Sequence, residues 1–65
     1  MTFTAREKAE EASREIAQRQ GVYPRLVAQR RLTPAKADRQ IAIMREILAD
    51  YEAQAETEAA RERLL

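Results

Sequence analysis

The residue types that most often carry catalysis are scarce in this 65-residue chain. It has no histidine and no cysteine. That removes the usual general base, the commonest metal ligand and the thiolate nucleophile. Carboxylates are plentiful in the second half: Glu46, Asp50, Glu52, Glu56, Glu58 and Glu62. Glutamates on facing helices hold metals when they project into a bundle core together with histidines. Without histidine, and mostly opposite the apolar seam of their helix, these carboxylates read as a solvated face. Tyr23 and Tyr51 are the two tyrosines. A catalytic tyrosine needs a shaped pocket and a partner, and a chain with one glycine has no glycine-rich loop to build one. Both read as packing residues with the hydroxyl at the rim. The sequence therefore assigns no catalytic residue, no metal ligand and no cofactor, and it argues against an enzyme.

Charge is the second chemical feature. Residues 25–45 carry Arg25, Arg30, Arg31, Lys36, Arg39 and Arg45 against one acid, Asp38, a local +5. Residues 46–65 carry six acids against two bases, a local −4, and residues 1–24 are balanced, which accounts for the overall +1. Arg25, Arg30, Arg31, Lys36 and Arg39 are the candidate partner-binding residues, with an acidic protein surface or nucleic-acid phosphates as the chemistry they fit. The bland alternative is a solvated face whose charge is balanced by the acidic tail. Nucleic acid is the weaker of the two partner readings, because the net charge is near zero and the residues after Pro34 alternate charge with alanine instead of forming a recognition helix.

The elements that must position these residues are helices. The one glycine and both prolines fall between residues 21 and 34, and the flanks are rich in strong helix formers. Thr4 with Glu7 three residues on makes a capping box for a first helix. Ala5, Ala9, Ala12 and Ile16 give it a narrow apolar stripe, and Glu10–Arg14 and Glu15–Arg19 are favourable i,i+4 pairs. Gly21 stands where a left-handed C-cap belongs. Tyr23, before proline, is expected to be extended. Pro24 then opens a short middle helix over Arg25 to about Arg31. Thr33-Pro34 reads as an N-cap and first residue of a long helix. Along it Ala37, Ile41, Met44, Leu48, Tyr51 and Ala55 form a heptad seam. Ile41, Met44, Leu48, Tyr51 and Ala55 are the candidates for helix packing or self-association, and Met44 is core filler. Ile43 and Ile47 widen the apolar face enough to touch more than one neighbour. Ala42, Ala49, Ala53 and Ala60 form a second stripe of small residues, explained equally by alanine's helix propensity.

The expected fold is thus an all-α helical hairpin with a short middle helix, two long helices plus one short, in a single domain over 1–65. Tyr23, Leu26, Val27 and Leu32 should pack near Ile16 and Ile41–Leu48. A first helix of about 17 residues spans roughly 25 Å and a second of about 30 residues roughly 45 Å. Residues 56–65 are therefore a frayed or intermolecular end. The core is sparse: of 29 hydrophobic residues 13 are alanine, and Leu, Ile, Val and Phe together number 12. A chain this small buries only about 60% of its unfolded surface. The sparse core and unequal helices point to a homodimer through the long helix. No apolar run is long enough to cross a bilayer, so no membrane partner is expected. No signal peptide is visible, and the expected location is the cytoplasm.

The stretch Val22-Tyr23-Pro24-Arg25-Leu26-Val27, through Arg31-Leu32-Thr33-Pro34-Ala35 to Ala37-Asp38-Arg39-Gln40-Ile41-Ala42-Ile43-Met44, resembles a family of small uncharacterised helical phage and prophage proteins. The resemblance covers roughly residues 16–48. Where that family carries glycine before the Arg-Leu-Thr turn, this chain has Arg30. The resemblance implies a phage or mobile-element setting and supplies no activity and no functional residues. The function expected is a non-catalytic helical factor that binds a protein partner, with a host-directed or anti-defence inhibitor as its most specific version. The alternative is a nucleic-acid-binding accessory protein using residues 25–45.

Overall fold

Two threonines set the starts of two helices. In the computed structural model, which describes residues 2–64, Thr4 caps α1, Ala5–Ala28. Its hydroxyl accepts the Glu7 backbone N–H at 3.1 Å, and the Glu7 carboxylate accepts the Thr4 N–H at 3.0 Å. This capping box satisfies two of the donors that a helix start otherwise leaves open. The second of these bonds, donated by the Thr4 backbone N–H to the carboxylate, is the main reason Glu7 is held below its ordinary pKa. Thr33 repeats part of the pattern for α2, Pro34–Leu64: its hydroxyl accepts the Lys36 N–H at 3.2 Å. Helices α1 and α2 pack against each other as an antiparallel hairpin 53 × 19 × 17 Å.

The expected short middle helix is not a separate element. α1 continues through Gly21 and Pro24 to Ala28, so residues 25–28 are its last turn and residues 29–33 connect the helices. Gly21 is an ordinary helical residue with no positive φ, and Tyr23 is helical. Pro24 lacks an N–H, so the Gln20 carbonyl loses its helical donor. Gln20 is exposed, so water can replace that donor, and the placement of Tyr23 and Val27 beside Ala37, Gln40 and Ile41 of α2 offsets the rest. Tertiary packing overrides the local preference.

With 24 residues, α1 is about 36 Å long against about 46 Å for the 31 residues of α2. The mismatch is therefore about half the sequence expectation. Within 56–65, α2 stays helical to Leu64, Glu58 and Glu62 are exposed, and Ala59 and Ala60 are half-buried. Leu65 and Met1 lie outside the described residues.

The core is as thin as the composition implies. Its buried residues are Ala5, Ala9, Ala12, Ile16, Ala37 and Ala55, so among the described residues one buried side chain exceeds alanine in size. Small residues at the contact let the two backbones approach closely. Ile41, Met44, Leu48 and Tyr51 are half-buried in the same interhelical face. Cross-helix contacts fix the register. The Tyr23 hydroxyl donates to the Gln40 side-chain carbonyl at 2.7 Å near the turn. The Lys8 ammonium sits 5.5 Å from the Tyr51 ring centroid near the open end. On the surface of α1, Arg19 pairs with Glu15 at 2.8 Å. Arg14 pairs with Glu11 at 3.0 Å, one position from the Glu10 that i,i+4 spacing suggested.

Candidate binding surface at the turn

α1 ends in a motif usually built on glycine. The Arg31 N–H donates to the Leu26 carbonyl at 2.9 Å and the Arg30 N–H to the Val27 carbonyl at 3.0 Å. Together these make the paired bonds of a Schellman cap, which needs a left-handed residue at its centre. Arg30 occupies that position, with φ 58°. A Cβ in this region costs an L-residue roughly 1–2 kcal/mol, so the helix ends on a strained arginine.

This cap directs the chain into α2 and gathers the cations expected from the sequence. Arg25 is in the last turn of α1, Arg30 and Arg31 are in the connection, and Lys36 and Arg39 are in the first two turns of α2. All five are exposed. Among the described residues, the two ion pairs are those within α1, so none of the five has a carboxylate within 4.0 Å. Their placement on α2 is unfavourable. Its first turn contains no acid, and Lys36 adds positive charge to the positive end of the helix dipole. Arg25, at the opposite dipole end of α1, is favourably placed.

Beside the cations lies a shallow groove of about 270 Å³, lined by Tyr23, Pro24, Val27, Pro34, Ala37 and Ile41, with Gln20 and Asp38 at its rim. Sequence reasoning did not identify it. Its one visible signal was a proline on each side of the connection, and those prolines were read as helix starts. Tyr23, Val27 and Ile41 do meet there, whereas Leu32 is half-buried in the connection.

The remaining candidates fall into two groups. Ile41, Met44, Leu48, Tyr51 and Ala55 line the interhelical seam and are half-buried or buried there. The carboxylates Glu46, Asp50, Glu52, Glu56, Glu58 and Glu62 are all exposed. Among the described residues no group of three or more acids is placed to hold a metal ion. Ala42, Ala49 and Ala53 are exposed and Ala60 is half-buried. Among the described residues no helix is long and apolar enough to cross a membrane. The chain matches no family model, no curated protein and no solved structure.

Proposed function

We propose that this protein is a non-catalytic helical interaction factor that binds an acidic protein surface through the turn end of its hairpin. The observation that carries this reading is the collection of Arg25, Arg30, Arg31, Lys36 and Arg39 around one cap, exposed and without carboxylate partners among the described residues. Charge that opposes a helix dipole, and an arginine in a left-handed cap, both reduce stability. A surface kept at such cost is better explained by what it contacts than by what it holds together. The adjoining groove adds apolar area to the electrostatic contact, the combination that gives protein interfaces a buried centre and a polar rim. The resemblance to small phage and prophage proteins favours a bacterial partner, and a host-directed or anti-defence inhibitor is the most specific form of the proposal.

The test is a pull-down from nuclease-treated bacterial lysate with wild type and an Arg30→Glu/Arg31→Glu variant, whose helicity is checked by circular dichroism. The expected result is a specific protein captured by wild type and lost with the variant. Capture unaffected by the double reversal removes the turn end as the contact. The five cations also fit phosphates, so filter binding to duplex and single-stranded nucleic acid is the companion measurement. Retention that falls steeply with salt would move the assignment to the nucleic-acid-binding alternative.

A further inference from the structure

The apolar seam of α2 is occupied by α1, yet α2 carries a second stripe whose two central isoleucines are exposed in the hairpin. Lys36, Gln40, Ile43, Ile47, Asp50 and Gln54 recur at spacings of 4, 3, 4, 3 and 4. At 100° per residue they share one face, beside the seam and on the edge opposite the Pro24–Pro34 groove. Its centre is apolar and open: Ile43 is 43% exposed and Ile47 36%. Val22, 46% exposed, adjoins from α1 across the shallow hollow it lines with Gln40.

We infer that the Ile43–Ile47 face is a self-association surface, on which a second copy of the chain packs antiparallel with its own α2. Charge selects this occupant and its direction. Residues 34–49 of α2 carry a net +1 and residues 50–64 a net −3, and on the stripe itself Lys36 lies at the N-terminal end and Asp50 toward the C-terminal one. Antiparallel pairing about a two-fold axis near residue 45 sets Ile43 against Ile47 of the second copy. It also sets Arg39 and Gln40 beside Asp50 of that copy. Parallel pairing would instead align like charges, which is destabilising. Surface area agrees. The chain exposes 5520 Å², whereas a compact monomer of its mass exposes about 4,200 Å². The excess is larger than the roughly 800 Å² that each partner contributes to a standard interface. The turn-end groove lies on the other edge and stays open in such a dimer.

Sedimentation equilibrium at high micromolar concentration tests this. Wild type is expected as a dimer, and Ile43→Glu/Ile47→Glu as a helical monomer; both side chains are exposed in the hairpin, so the variant leaves its core intact. Arg39→Asp alone and Asp50→Arg alone each place like charges opposite one another and should weaken dimerisation about tenfold. Mixing the two single variants restores both cross-pairs, so the mixture should form a heterodimer of near wild-type strength. A monomeric wild type, a dimer indifferent to the isoleucine changes, or single variants whose mixture recovers nothing would each overturn the inference.

Discussion

The strained cap predicts an uncommon outcome: deleting a charged side chain should stabilise the protein. Arg30 sits at φ 58° at the centre of the cap that ends α1. Glycine reaches this region without a Cβ clash, so Arg30→Gly recovers roughly 1–2 kcal/mol of strain. Part of that is returned, because glycine makes the unfolded chain more flexible by about 0.4–1 kcal/mol. The net gain is about 1 kcal/mol, or roughly 4–8 °C in midpoint for a domain of this size. Thermal and urea unfolding, followed by circular dichroism at matched protein concentration, read it directly. Arg30→Ala is the control, since it removes the charge and keeps the Cβ. If Ala stabilises as much as Gly, relief of charge crowding and not backbone strain is the cause. A destabilised Arg30→Gly would refute the cap assignment. The same variant should weaken partner capture, separating the cost of Arg30 from its use.

Other predictions follow from the same geometry. Gly21 is helical and exposed, and an added Cβ meets nothing within 4 Å, so Gly21→Ala should raise stability by up to about 1 kcal/mol in urea unfolding. Ile16 is the one buried side chain larger than alanine among the described residues, and Ile16→Ala should cost about 2–5 kcal/mol, enough to show unfolded spectra at room temperature. Thr4→Ala should cost about 1 kcal/mol through loss of the capping box. Because Glu7 is held below its ordinary pKa chiefly by the Thr4 backbone N–H, its contribution is present above the unfolded-state pKa. It is lost as pH falls through the folded one. Thr4→Ala keeps that N–H but removes the bond the Thr4 hydroxyl donates to the Glu7 carboxylate at 3.0 Å, the second cause of the lowered pKa, so the wild-type advantage should narrow in acid by that part alone. An advantage that grows in acid would contradict the box.

The parts of the fold legible in the sequence were those set by local chemistry. Thr4 with Glu7 and Thr33 with Pro34 have one favourable reading each, and the helices start there. The seam from Ala37 to Ala55 was legible as a heptad because it is half-buried on one face along its length. The end of α1 was not legible. Gly21 and Pro24 are both local stop signals, and it is the placement of Tyr23 and Val27 beside Ala37, Gln40 and Ile41 of α2 that carries the helix past them. The left-handed Arg30 was hidden for the related reason that arginine is a poor indicator of positive φ. Of the binding surface, the charges could be counted from the sequence, but the groove between Pro24 and Pro34 exists only once α1 reaches Ala28. The free stripe at Ile43 and Ile47 becomes distinguishable from the seam only when α1 is seen to occupy one and not the other.

The claim that the turn end is the contact surface is tested most directly by site-specific photo-crosslinking in bacterial lysate. One variant carries the photoreactive group at Gln29 in the connection, and another at Ala53 on the exposed face of α2. The account predicts a discrete crosslinked protein from position 29, abolished by Arg30→Glu/Arg31→Glu, and none from position 53. Crosslinks from position 53 alone, or from position 29 irrespective of the arginines, would contradict it.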